Sequence, residues 1–108
     1  MEVKSSQQDG VLVFQVSGEI NISSSPELKK SFEKQPAAKI VVDLEKVTYI
    51  DSSGLATLVE ILKKTKSQNG RLGISGMSDK VKSLFEITKL DKLFSIFKTQ
   101  QDAVAQIK

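Results

Sequence analysis

The sequence contains no cysteine and no histidine, and these two absences remove much of the chemistry that small enzymes use. Without cysteine there is no disulfide framework, no thiol nucleophile and no cysteine-ligated zinc or iron–sulfur site. Without histidine the usual general base near neutral pH and the commonest transition-metal ligand are missing. No glycine-rich phosphate-binding motif is present either. We therefore predict a protein that is not an enzyme and that holds no metal and no cofactor, although carboxylate or lysine catalysis stays formally open.

Long apolar runs and aromatic residues are also scarce. No stretch approaches the roughly 20 apolar residues of a membrane span, and residues 1–8 lack the apolar core of a signal peptide. The chain has one tyrosine, no tryptophan and a net charge of only +3. Nucleic-acid-binding proteins usually carry a stronger basic bias, so the lysines fit solvated helix faces better. We expect a cytoplasmic protein with neither a membrane nor a nucleic acid as a direct partner.

The 108 residues have the length and composition of one globular domain, with 39% hydrophobic and 27% charged residues, and we assign residues 1–108 to a single domain. Strand and helix patterns alternate along the chain in the order ββαβαβαβα. The predicted strands are residues 2–8, 11–18, 39–44, 71–75 and 93–97. This order predicts an α/β fold with a mixed, mostly parallel sheet of about five strands, helices mainly on one face and the first hairpin at one edge.

The clearest predicted helix follows residues 51–54 and ends at the Asn69-Gly70 pair. Its inward stripe contains Leu55, Leu58, Val59 and Leu62, and Thr57 falls on the polar side. Residues 47–50, which precede this helix, are predicted to form a loop. Ser25 and Pro26 mark the start of an earlier helix, with Ser25 as its cap. Ser78 or Asp79 caps a later one.

The segment Asp51-Ser52-Ser53-Gly54 places two hydroxyls and a glycine at a helix amino terminus. Backbone N–H groups in a first helical turn are unpaired and carry partial positive charge, so such an end accepts a phosphate readily. Gly54 would let another protein's backbone approach closely. Taken in isolation these residues favour a purely structural alternative, in which Ser52 or Ser53 is the helix cap and Asp51 a turn former. The residues alone leave both interpretations open.

Several segments together resemble the STAS domain family, and more narrowly the bacterial anti-sigma factor antagonists. The central match is Asp51-Ser52-Ser53-Gly54-Leu55, which follows the strand-like Ile40-Val41-Val42-Asp43-Leu44 and precedes an amphipathic helix. Val16-Ser17-Gly18-Glu19-Ile20-Asn21 resembles a segment at the end of a strand in that family. Lys82-Ser83-Leu84-Phe85 and residues 90–97 resemble its carboxy-terminal pattern.

The resemblance implies a partner switch. In this family the unphosphorylated antagonist binds an anti-sigma factor that is also a serine kinase, and a sigma factor is thereby released. Phosphorylation of the serine after the motif's aspartate, which corresponds to Ser52, ends binding, and a metal-dependent serine phosphatase of the PP2C type resets the switch. The predicted partner-binding residues are Asn21, Asp51, Ser52, Ser53, Gly54, Leu55, Ser75, Gly76 and Met77, and the free protein is expected to be a monomer.

Two features keep alternatives open. Asn21 stands where the family often has an aspartate, so a carboxylate is lost, although Asn21 could also be an ordinary loop residue. Ser23, Ser24 and Ser25 could be phosphorylated, although a capping cluster explains them better. An alternative function is that of a STAS interaction subunit without a phosphoacceptor, for example in the ATPase complex of a lipid transporter.

Overall fold

The computed structural model describes residues 1–108 and has the predicted order of elements. The strands are β1 (Glu2–Gln8), β2 (Val11–Ile20), β3 (Lys39–Ile50), β4 (Arg71–Ser75) and β5 (Ser95–Phe97), and the helices are α1 (Ser25–Lys34), α2 (Ser52–Ser67), α3 (Asp79–Ile87) and α4 (Gln100–Ile107). The spatial order of the strands is β1-β2-β3-β4-β5. The β1–β2 pair is antiparallel and the other three pairs are parallel. The predicted mixed, mostly parallel sheet with a hairpin at one edge is therefore confirmed.

The two faces of the sheet carry unequal cores, because alternate residues of a strand point to opposite faces. One set of β2 residues, including Leu12 and Phe14, lies in the main core with side chains of α1, α2 and α3. The intervening residues Val11 and Val13 form a smaller cluster with Val41 and the apolar residues of α4. Three helices thus cover one face and α4 covers part of the other, which agrees with the prediction of helices mainly on one face. None of the four helices combines the length and apolar composition needed to cross a bilayer.

Strands β2 and β3 extend well beyond β4, which corrects the prediction of a loop over residues 47–50. Pairing between β3 and β4 ends at Asp43 and Ser75, whereas pairing between β2 and β3 continues to Ile20 and Ile50. The register shifts twice along the β2–β3 pair, and β3 has one residue more than β2 at each shift, first between Asp43 and Lys46 and then at Thr48. Such bulges interrupt the alternation of polar and apolar residues, and for that reason the sequence pattern did not resemble a strand.

The last strand is shorter than predicted. Only Ser95–Phe97 pairs with β4, and Leu93 and Phe94 stay outside the strand, after a short 3-10 helix over Leu90–Lys92. Phe94 is buried and its ring packs edge-on against Phe85, with the ring centroids 5.7 Å apart. This contact holds the segment before β5 against α3 rather than in the sheet.

Candidate functional site

The carboxylate of Asp51 caps α2, and this arrangement leaves the Ser52 side chain outside the cap. Oδ1 of Asp51 accepts a hydrogen bond from the backbone N–H of Gly54 at 3.0 Å, and the Asp51 carbonyl accepts from the N–H of Leu55 at 3.0 Å. The alternative in which Ser52 or Ser53 is the cap is therefore wrong, because Asp51 occupies that position. Ser52 is the first residue of the helix, and its hydroxyl does not cap it.

The two serines of this turn have different surroundings. Ser52 is exposed, whereas Ser53 is half-buried and its carbonyl accepts a hydrogen bond from the Thr57 hydroxyl at 3.0 Å. Thr57 is itself buried, which corrects its predicted place on the polar side of α2. Of these two hydroxyls, that of Ser52 is the more accessible to an external enzyme.

Gly54 and Leu55 face the protein core and not the surface. A Cβ atom at Gly54 would lie 2.7 Å from Cγ1 of Ile50 and 2.9 Å from the carbonyl oxygen of Ile20. Leu55 is only 7% exposed and lies in the main core. The predictions that Gly54 admits a partner's backbone and that the Leu55 side chain contacts a partner are wrong for this structure. Gly54 is small because the first turn of α2 sits directly on the ends of β2 and β3.

The loop that joins β2 to α1 lies beside this turn and is held by its own polar side chains. Oδ1 of Asn21 accepts hydrogen bonds from the N–H groups of Ser23 and Ser24, at 3.0 and 3.1 Å. The Ser24 hydroxyl donates to the Glu19 carbonyl at 2.9 Å, and the Ser25 hydroxyl donates to the Asn21 carbonyl at 2.7 Å. Ser24 occupies the cap position of α1 without a side-chain capping hydrogen bond, and Ser25, the predicted cap, is the buried first residue of the helix.

Asp51 also connects the two segments. Its Oδ2 accepts a hydrogen bond from the backbone N–H of Ile22 at 3.2 Å, and its own N–H donates to the Ile20 carbonyl at 3.0 Å. Ile22 is 73% exposed, one of four large apolar residues that the fold leaves at the surface. Ile22 was not among the predicted site residues, although an isolated isoleucine between Asn21 and three serines was the available indication.

Ser75 and Gly76 are not brought to the Ser52 turn. Ser75 pairs with Asp43 in the sheet, and Asp43 lies seven residues before Ile50, which corresponds to about 20 Å along a strand. Ser75 is fully buried and its hydroxyl donates to Oδ1 of Asp43 at 3.4 Å, while Gly76 lies against Asp43 and Glu45. The prediction that Ser75 and Gly76 border the site is wrong, because β4 ends well before β3 reaches α2, and the place of Met77 at the partner surface stays a prediction. Asn21, Asp51, Ser52 and Ser53 do lie together.

Comparison with known proteins gives a consistent result across the chain. A family model described as the STAS domain matches residues 2–103. The anti-sigma-B factor antagonist of Listeria monocytogenes is 33% identical over an alignment of 99 residues, and the match covers 89% of this chain and 86% of that protein. The crystal structure of an anti-sigma factor antagonist from Mycobacterium paratuberculosis has a TM-score of 0.89 at 28% identity and covers 98% of this chain and 92% of its own.

A third similarity is one of fold alone. The phosphorylated form of the Bacillus cell fate determinant SpoIIAA has a TM-score of 0.75 at 14% identity, covering 99% of this chain and all of that one. The resemblance that was drawn from Asp51-Ser52-Ser53-Gly54-Leu55 and its flanking segments is confirmed by the family match.

Proposed function

This chain belongs to the STAS domain family, and we propose on that basis that it is an anti-sigma factor antagonist, which binds an anti-sigma factor and thereby frees a sigma factor. The observation that carries the proposal is the exposed Ser52 at the start of α2, within the segment that matches the family motif. The protein acts by binding in the cytoplasm and not by catalysis. Its direct partner is the anti-sigma factor.

The binding is switched by phosphorylation. The anti-sigma factor is also a serine kinase, it transfers the γ-phosphate of ATP to the Ser52 hydroxyl, and the phosphorylated antagonist dissociates. A metal-dependent serine phosphatase of the PP2C type removes the phosphate and restores binding. Ser52 is favoured over Ser53 because Ser52 is exposed whereas Ser53 is half-buried.

A phosphate at Ser52 should weaken docking without unfolding the domain. It adds about −1.5 to −2 charges next to the Asp51 carboxylate, in the middle of the surface that meets the partner. The N–H groups of Ser52 and Ser53 belong to the first helical turn and lack intrahelical partners, so they can donate hydrogen bonds to the phosphate oxygens and offset part of this charge. The Asp51 cap on Gly54 does not involve the Ser52 hydroxyl and stays in place. The negative charge therefore acts mainly on the interface.

Asn21 contributes to this surface in an uncharged form. Its amide oxygen is already engaged with the N–H groups of Ser23 and Ser24, and an aspartate could accept the same bonds. The difference between the two residues is then the missing negative charge, not the shape of the loop. We propose that this difference affects which anti-sigma factor binds, and that Asn21→Asp changes the partner preference while the fold is kept.

The phosphorylation site is tested with the anti-sigma factor kinases encoded by the source organism. Each purified kinase is incubated with this protein, ATP and magnesium, and the phosphate is located by mass spectrometry. We expect phosphate on Ser52 with the wild-type protein and with Ser53→Ala, and none with Ser52→Ala. Phosphate on Ser53 or on Ser23 in the wild-type protein would overturn the site assignment.

The switch itself is tested by binding and by spectroscopy. Without ATP, Ser52→Ala should bind the anti-sigma factor with the affinity of the unphosphorylated wild type. Ser52→Asp should bind it at least 100-fold more weakly, a difference of about 3 kcal/mol in binding free energy. Backbone amide spectra of the phosphorylated and unphosphorylated proteins should differ near residues 20–24 and 50–56 only. Shifts throughout β1 to β5 would show that phosphorylation changes the fold and would contradict the proposed mechanism.

A further inference from the structure

Four large hydrophobic residues are exposed in this protein: Ile22 at 73%, Tyr49 at 43%, Ile87 at 77% and Leu93 at 50%. Ile22 lies close to the Ser52 turn, because its backbone N–H donates a hydrogen bond to Asp51. Tyr49 is near the end of β3, but it points to the face of the sheet opposite to the buried Ile50. Ile87 and Leu93 lie at the end of α3 and in the segment before β5. The exposed apolar residue beside the Ser52 turn is therefore Ile22.

The loop that carries Ile22 is ordered by the fold itself. Hydrogen bonds involving Asn21, Ser24 and Ser25 close the loop on one side, and the Asp51 carboxylate fixes the Ile22 N–H on the other. An apolar side chain on such a loop loses little further conformational freedom when it enters a pocket of another protein. Apolar groups that become fully desolvated near the centre of an interface provide much of its affinity.

We propose that Ile22 is the apolar anchor by which this protein docks on its anti-sigma factor kinase, and that Asp51 is the positioning residue that keeps Ile22 in place relative to the Ser52 hydroxyl. This inference rests on the proposed function. A kinase that reaches the Ser52 hydroxyl must cover the adjoining surface, and Ile22 is joined to that surface by a single hydrogen bond from its N–H to Asp51. The partner is accordingly expected to have an apolar pocket beside its nucleotide site.

The role of Ile22 is tested by substitution with a matched control. Ile22→Ser should weaken binding to the purified kinase at least tenfold, whereas Ile22→Leu should stay within about threefold of the wild type. Ile87→Ser removes an equally exposed isoleucine from α3 and should change binding less than twofold. In kinase assays Ile22→Ser should raise KM for the protein substrate and leave kcat nearly unchanged. Thermal unfolding of the variants checks that the fold is intact.

The role of Asp51 is tested with an amide. Asn at position 51 keeps one oxygen to cap Gly54 but presents an N–H₂ group to the N–H of Ile22, so Asp51→Asn breaks the loop contact selectively. Asp51→Asn should weaken binding severalfold in the wild-type background and have little additional effect in the Ile22→Ser background. This non-additivity would not arise if Asp51 served only as a helix cap.

The inference and the proposed function fail in different ways. If Ser52→Asp abolishes binding while Ile22→Ser binds like the wild type, the anchor is refuted and the switch stands. Equal losses for Ile22→Ser and Ile87→Ser would refute the anchor as well. If no kinase of the source organism binds or phosphorylates the wild-type protein, the proposed function fails and the anchor fails with it.

Discussion

Two turns of this protein have similar chemistry and opposite surroundings. In each, a parallel strand of the sheet leads towards a helix, and an aspartate carboxylate accepts hydrogen bonds close to a serine. At the end of β3, the Asp51 carboxylate accepts hydrogen bonds from two backbone N–H groups, and Ser52 is exposed. At the end of β4, Ser75 is fully buried and donates to Asp43, which is only 2% exposed.

The difference arises from how far each strand extends. β4 ends in the middle of the sheet, where β3 and β5 flank it and where α4 adds the side-chain amide of Gln100, which donates to Oδ2 of Asp43 at 3.3 Å. β3 continues past that point with β2 as its neighbour and reaches the rim of the domain. We expect the inner turn to serve stability, and the proposed function assigns recognition to the outer turn.

The largest effect should come from the inner carboxylate. Asp43→Ala removes the acceptor for the Ser75 hydroxyl, the Gln100 amide and the Glu45 N–H. The Ser75 hydroxyl is then buried without a partner, and the two part-buried donors lose theirs. We expect a loss of about 3 kcal/mol in the free energy of unfolding, measured by urea titration. Asp43→Asn keeps one acceptor oxygen and should lose clearly less. Equal stability of Asp43→Ala and the wild type would show that the inner cluster is not structural.

A smaller effect is expected at Gly54. A Cβ atom there would lie 2.8 Å from Cγ2 of Ile20 and 2.7 Å from Cγ1 of Ile50, so Gly54→Ala must push α2 away from the strand ends. Although alanine favours a helix over glycine, we expect a net destabilisation of about 2 kcal/mol, because overpacking a tight contact costs more than the gain in propensity.

The matched control is Ala56, which lies exposed on the same helix. Ala56→Gly should cost about 1 kcal/mol from helix propensity alone. A Gly54→Ala protein more stable than the wild type, measured by thermal unfolding, would contradict the close packing of the first turn of α2.

The smallest effect should separate the two serines. Ser75→Ala removes a buried hydroxyl from Asp43 and should cost about 1 kcal/mol. Ser52→Ala should change stability by less than about 0.5 kcal/mol, since an exposed side chain outside the cap contributes little. Both variants are compared in one urea titration series. A larger loss for Ser52→Ala than for Ser75→Ala would reverse the assignment of the inner and outer turns.

Local patterns predicted much of this architecture. The β-rich runs at residues 11–18 and 39–44, the stripe of Leu55, Leu58 and Leu62, and the Asn69-Gly70 pair depend on short-range preferences of the backbone and on one buried face. Asn69 indeed has a positive φ of 59°, as expected for the end of α2. The family motif around Ser52 could likewise be recognised, because it is a continuous run of residues.

Other features depend on residues that are distant in the chain. The sequence by itself determined the order of the elements, the family and the serine at the start of α2, because each is encoded in neighbouring residues. Only the tertiary structure decided that Asp51 and not a serine caps α2, that Ile22 is exposed beside Ser52, and that Ser75 is buried with Asp43. These outcomes follow from the lengths of β2, β3 and β4 relative to one another, which local propensity does not specify.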